Sequence, residues 1–264
     1  MILPYLLEIK LSLRDRLVFK KDVMIRIITS FLLSMTTMEL WSVIMRTSDN
    51  SGTTEGINTI KYMLLASSLT MMIDATPGDE ITGRIVSGSI SRDLLYPVSL
   101  PLIILGKSIG KVIATFMLNV VPIFVVLSLM YNISWTSSLS SLLLAIFFWL
   151  IGYLIYFMLN LQIDMISFWW QETFYFHYTK EAIYAFLSGA LIPLWYYPDW
   201  LKRVVNLLPF KNIMYVPIAT YLETVSAEEM KWNCLNMGIW FFVFLFITCL
   251  IWNIGVKKTV SNGG

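Results

Sequence analysis

Along this chain, apolar and polar residues alternate in long blocks rather than residue by residue. Six apolar runs stand out, at 23–45, 57–76, 101–130, 139–160, 181–197 and 233–255. A helix rises about 1.5 Å per residue, and about 20 mostly apolar residues cross the roughly 30 Å of hydrocarbon in a bilayer. The pattern predicts an all-α integral membrane protein with six transmembrane helices, residues 1–264 forming a single membrane domain. The polar blocks between the runs are short, so no separate catalytic domain is expected.

Finer patterning fills in the connections. Leu6, Leu7, Ile9, Leu13 and Leu17 recur at helical spacing with Lys10, Arg14 and Lys21 largely opposite, so 1–22 is predicted to be an amphipathic helix in the headgroup layer. It serves either as an orientation anchor or as a lipid sensor. The segment RTSDNSGTTEG at 46–56 reads as a polar turn region. After the second run, Pro77 and Gly78 stop the helix, and Asp79 and Glu80 suit the positive end of a new short helix within 79–93.

Asn119 and Pro122 interrupt the third run, where a proline frees a carbonyl and permits a kink. The 161–180 connection is aromatic and sparsely charged, as expected of an interfacial segment. The fifth run is short, about 17 residues before Pro198. It is followed by PDWLKRVVNLLPF and PFKNIMYVPIATYLE, two short amphipathic segments punctuated by Pro209 and Pro217. Neither can cross, and Trp195, Tyr196, Tyr197, Trp200 and Tyr215 are interface-type aromatics. A re-entrant hairpin at 198–222 follows from this. Broken backbone at membrane depth is tolerated only where protein covers it or a water-filled cavity is lined by it, which favours a conduit over a simple anchor.

Composition agrees with the pattern: 57% of residues are hydrophobic and 14% charged, against about 25% charged in soluble domains. Mean hydropathy is +0.71, high for any soluble chain. A formal net charge of +2 gives no reason to expect nucleic acid. The placement of the basic residues says more. Lys10, Arg14, Arg16, Lys20, Lys21, Arg26, Arg84, Arg92, Lys107, Lys111, Lys180, Lys257 and Lys258 fall on one side of a six-span topology. Arg46, Lys61, Lys202, Arg203, Lys211 and Lys231 fall on the other. The 13-to-6 split places both termini in the cytoplasm and the protein in the cell membrane. No cleavable signal peptide is visible, so the first span is expected to act as its own insertion signal. Cys234 and Cys249 would lie about 22 Å apart on one helix, too far for a disulfide.

Catalytic patterns are missing. Gly106-Lys107-Ser108 looks like the tail of a phosphate-binding loop, but the required upstream glycine position holds Pro101. The single histidine, His177, reads as an interfacial ring rather than a metal ligand. There is no Gly-x-Ser-x-Gly, and Glu228-Glu229 lacks catalytic partners. No catalytic residue, metal or cofactor is therefore expected on this chain. Glu39, inside the first span, either lines the route of a cationic or amphipathic substrate, sits near the interface, or is protonated and bonded to a neighbouring span.

The order of a basic amphipathic helix, two spans, a charged cytoplasmic helix, two spans, a short broken fifth region and a last span resembles the permease of a type-2 ATP-binding-cassette exporter. LSGALIPLWYYPDWLKRVVNLLPFKNIMYVPIATYLE at 187–223 is similar to the drug-, viologen- and peptide-export branch, with EITGRI at 80–85 and LLYPVSLP at 94–101 adding to the likeness. The resemblance implies a homo- or heterodimer of permeases with two separate cytoplasmic P-loop ATPase subunits that bind Mg-ATP. It implies that 79–93 is a coupling helix, contacting the ATPase through Asp79, Glu80, Gly83, Arg84, Gly88 and Arg92. Glu39 and Asn119 would lie along the substrate pathway, and Trp195, Tyr196, Trp200, Pro209 and Pro217 would form an external gate. An amphipathic peptide, drug or lipid-like molecule fits the abundance of Met and aromatic residues. The alternatives are that the 79–93 charges merely solvate a loop, that the hairpin is an anchor, or that the chain is a non-transporting immunity or scaffold protein bound to another membrane complex.

Overall fold

Each apolar run winds into helix, and the departures from the predicted boundaries fall at glycines, prolines and aromatics. A computed structural model describes residues 3–18, 20–48, 52–76, 78–170 and 172–262. Pro77, Gln171 and residues 49–51 of the predicted first loop lie outside the described residues, as do the side chains of Arg16, Leu17 and Lys20. The described residues are all helix and connection, with no strand.

α1 (Leu3–Val18) and α2 (Lys20–Thr47) lead into α3 (Thr54–Asp74), which Thr53 caps by accepting the Gly56 N–H at 3.1 Å. Two short helices, α4 (Glu80–Val86) and α5 (Ile90–Asp93), make an elbow. The single short helix predicted within 79–93 is thus two, broken at Gly88, whose φ of +71° favours glycine. The third run becomes α6 (Leu100–Thr115) and α7 (Val121–Met130), joined by a π turn over Phe116–Val120. That wider turn sits just ahead of Pro122, which cannot donate to the preceding turn, so the interruption predicted at Asn119 and Pro122 is real. α8 (Leu139–Met165) continues five residues past the predicted end of the fourth run.

The fifth run differs most. The helix here, α9 (Phe174–Leu187), begins seven residues before the predicted 181 and ends ten short of 197. Its aromatic first turn is helical, whereas the sequence reading made it an interfacial connection. At 14 residues it is about 21 Å long, less than the hydrocarbon thickness. It stops where Gly189 takes φ +85° and Pro193 follows. α10 (Asp199–Leu207) and α11 (Tyr215–Tyr221) then stand where two short segments were predicted, and α12 (Ala227–Asn262) closes the chain. Among the described residues, four stretches rather than the predicted six are long and apolar enough to cross a membrane: Lys21–Thr47, Leu100–Met130, Leu139–Phe168 and Ala227–Lys258. α3 spans 21 residues but is diluted by Glu55, Asn58, Lys61 and several hydroxyls.

Two glycine contacts organise the packing. α1 lies along α6, where a Cβ on Gly106 would meet the Tyr5 carbonyl oxygen at 2.9 Å and one on Gly110 the Ile9 oxygen at 2.6 Å. Small residues four apart allow such close backbone approach. On α8, a Cβ on Gly152 would meet the Asn212 carbonyl oxygen at 2.5 Å, so the chain between α10 and α11 rests directly on that helix. Separate apolar clusters fill the two ends. Met38, Trp41, Met45 and Tyr62 centre one, and Ile81, Ile90, Phe157, Leu161 and Met165 the other.

Candidate functional site

The elbow between α3 and α6 carries six of the thirteen predicted site residues: Asp79, Glu80, Gly83, Arg84, Gly88 and Arg92. Ile81 and Ile90 are buried against α6 and the end of α8, and they set the elbow's height on the bundle. The α4 N-terminus is a helix start with unsatisfied amides, and Asp79 there has φ +62° and makes no side-chain cap of its own. The amides are taken instead by Asp164 at the end of α8. Its Oδ1 accepts the Asp79 N–H at 3.0 Å and its Oδ2 the Ile81 N–H at 3.3 Å. His177 of α9 places Nε2 2.7 Å from the same Oδ1. Thr173 donates to Asp79 at 3.2 Å and pairs with Thr82 at 2.8 Å.

Glu80, Arg84 and Asp93 of the elbow are paired within the chain. Glu80 meets Lys107 at 2.5 Å and Lys111 at 3.5 Å, and Arg84 meets Asp93 at 2.6 Å. Burial alone would raise the Glu80 carboxyl; the hydrogen bond and charge of Lys107, with Lys111 and Arg84, outweigh it and hold the carboxyl below its ordinary value. What the elbow turns outward is Gly83, Gly88 and Arg92, together with Val86, Leu95 and Tyr96, which are 63%, 84% and 60% exposed. The sequence reading named the charges and missed these three apolar residues.

An open recess of about 280 Å³ beside the elbow is lined by Asp79, Thr82, Glu172, Thr173, Phe174 and Tyr175. Asp79, Asp164 and His177 each bring one possible metal-ligand atom within 4.8 Å of the others. Asp164 Oδ1 already carries two partners at hydrogen-bond distance, so the arrangement is a hydrogen-bonded junction. His177, read from sequence as a lone interfacial ring, belongs to it. The missed signal was a lone Asp closing an otherwise apolar run, with the only histidine a short way downstream.

The two predicted pathway residues are not brought together. Asn119 is buried in the π turn beside a void of about 10 Å³ that Val23 and Arg26 also line. Glu39 is exposed about 20 Å further along α2, where the Tyr131 hydroxyl donates to it at 2.6 Å. A third polar group was not foreseen: buried Lys180 on α9 donates to Asn160 at 2.6 Å and to Tyr156 at 3.0 Å and pairs with Glu181 at 2.5 Å.

At the opposite end, the α10–α11 hairpin is held by aromatics and amides. Trp195 packs edge-on against Tyr62 at 5.0 Å, and Tyr196 stacks on Trp41 and shares a 2.9 Å hydrogen bond with Thr59. The Tyr62 hydroxyl donates to the Gly189 carbonyl at 2.9 Å, and the Tyr197 hydroxyl bonds the Phe186 carbonyl. From α12, Asn236 and Trp240 donate to the last carbonyls of α10, Trp240 to Leu207 at 2.8 Å. Pro209 and Pro217 are buried, and Trp200 points away from the bundle at 63% exposed.

Several long apolar helices, two ends of contrasting chemistry and a structured elbow between the second and third runs define a multi-pass membrane protein. The family of ABC-2 family transporter proteins matches residues 31–263, nearly the whole chain, and the chain belongs to it. It is a membrane subunit of the ABC-2 type, a class that generally works with ATP-binding subunits and is typically not itself the ATPase. α1 precedes the matched region. No curated protein matches the chain.

Proposed function

We propose that the chain is the permease of an ATP-driven exporter in the cell membrane, paired with an identical or homologous permease and with separate P-loop ATPases that carry Mg-ATP. The observation that carries this reading is the elbow. Its base is fastened to three helices, while its tip offers Arg92, Val86, Leu95 and Tyr96 beside two exposed glycines. A connection that only had to be soluble would not expose apolar side chains, whereas a tip that enters a groove on a partner would. The basic excess on this side supports a cytoplasmic elbow. Gly83, Gly88 and Arg92 then meet the ATPase directly, and Asp79, Glu80 and Arg84 shape the elbow through their internal partners.

In this reading α2, α3, α6–α7, α8 and α12 cross the membrane. α9 crosses most of the way before the chain breaks at Gly189 and re-enters as the α10–α11 hairpin. Hydrogen bonds from Tyr62 and Tyr197 to the broken backbone make that depth tolerable. The hairpin closes the outer mouth, with Trp195 and Tyr196 at its packed edge, Pro209 at the turn after α10, Pro217 in the first turn of α11, and Trp200 at the free rim. Asn119 and Glu39 mark different levels of one route for an amphipathic peptide, drug or lipid-like substrate, on the branch that exports such molecules.

The test is affinity purification of the chain from its native membrane in mild detergent, followed by mass spectrometry. A stoichiometric P-loop ATPase that is lost in an Arg92→Glu/Leu95→Glu variant is the expected result. Recovery of the chain alone, or with an unrelated complex, would sink the proposal.

A further inference from the structure

Asp164 is the only charged residue of α8 and is 1% exposed. A buried carboxylate is costly unless its oxygens are hydrogen-bonded, and here the donors come from two other elements. The elbow supplies the backbone N–H groups of Asp79 and Ile81, and α9 supplies His177. A second layer reinforces the junction. Ser167 donates to the Asp164 carbonyl at 2.5 Å, Thr82 contacts it at 3.4 Å, and Thr173 ties Thr82 to Asp79. The elbow's first turn, the end of α8 and the first turn of α9 therefore converge on one side chain.

We propose that Asp164, braced by His177, is the positioning residue that makes these three elements move as one body. A displacement of the elbow is thereby passed to α8 and α9, and through Gly152 and Gly189 to the hairpin. The inference rests on the reading of the elbow as the ATPase-docking element. It assigns the transmission to a residue that does not touch the ATPase.

The experiment uses the chain with its co-purifying ATPase in lipid nanodiscs, in a Cys234→Ser/Cys249→Ser background carrying Trp200→Cys. The rate of labelling of that cysteine by a water-soluble maleimide is measured with and without Mg-ATP. In Asp164→Asn the ATPase stays bound and hydrolyses ATP, while the ATP-dependent change in labelling falls about tenfold, the size expected for losing hydrogen bonds to a charged group. His177→Leu gives the same loss. His177→Gln, whose amide still presents a donor near the Nε2 position, retains the response; this rescue separates positioning from general damage. Should Asp164→Asn fail to fold, the two His177 variants carry the test. A wild-type response in Asp164→Asn or His177→Leu overturns the proposal, as does equal loss in His177→Gln and His177→Leu. If no ATPase accompanies the wild-type chain, or its labelling ignores Mg-ATP, the docking reading falls first and this inference with it, before any variant is compared.

Discussion

The elbow and the hairpin close opposite ends of the bundle, and they are fastened by different chemistry. At the elbow nearly every tie involves a charge: Asp164 on two amides and an imidazole, Glu80 on two lysines, Arg84 on Asp93. At the hairpin the ties are stacked rings, tyrosine hydroxyls on carbonyls and asparagine side chains on backbone. Even the buried cation there, Lys211, is met by the neutral oxygens of Asn206 and Asn233 at 2.8 Å. Charge pairs hold strongly or weakly according to their access to water, salt and protons. Neutral hydrogen bonds and aromatic contacts keep their strength in a low dielectric and cost more when broken there. The elbow's ties are thus open to water, salt and protons, whereas the hairpin's ties are not, so the hairpin holds its own shape whether or not it is displaced as a unit.

The contrast is broken most severely at Gly152. Gly152→Val forces atoms into the Asn212 backbone that neither side can yield, and the overpacking costs about 1–3 kcal/mol. Thermal unfolding of the purified chain reads it. Gly83→Ala at the elbow, where the added Cβ meets nothing within 4 Å, is the matched control, with a stabilisation of up to about 1 kcal/mol. Equal destabilisation by the two would erase the difference between the ends. Next in size, Tyr62→Phe leaves the buried Gly189 carbonyl without its donor and costs about 1–3 kcal/mol, detected as a lower denaturation midpoint and faster proteolysis at 188–193.

Acid sharpens the comparison from the other side. The folded-state value of Glu80 lies below its unfolded one, so its contribution is whole above the ordinary carboxylate range and is lost as pH falls through the depressed value. Once the intrinsic slowing of amide exchange in acid is divided out, protection in α4 should therefore fall on acidification while protection in α11 stays level. Loss of protection in α11 alone would contradict the division. The smallest effect is expected for Glu39→Gln, whose side chain is exposed and keeps an acceptor for Tyr131, with a stability change within about 0.5 kcal/mol.

Much of this architecture is legible in the chain because membrane helices advertise themselves by length. The runs at 23–45, 101–130 and 233–255 reappear as helix, and Asn119 with Pro122 marks a real irregularity. The fifth region misled because Phe174 to Tyr178 read as interface anchors, while Phe and Tyr serve equally well in a helix and rank alike at a boundary. The junction was hidden for another reason. Asp164 meets the elbow 83 and 85 positions earlier, and nothing in local periodicity reports such pairs. Gly106 reads in the sequence only as part of a failed phosphate loop and Gly110 is not singled out; their four-residue spacing points to a helix contact instead.

That glycine contact also orders events in time. Tyr5 and Gly106 are separated by about a hundred residues of chain, so at roughly 5–20 residues per second α1 leaves the ribosome about 5–20 s before the surface that will receive it exists. Until then the face of α1 that carries Tyr5, Ile9 and Ser12 is uncovered, and a nascent chain arrested short of Gly106 should leave α1 open to protease where the finished chain protects it. The N-terminal helix is therefore a passenger waiting for its seat, and its amphipathic character is needed during synthesis before it is needed in the completed protein.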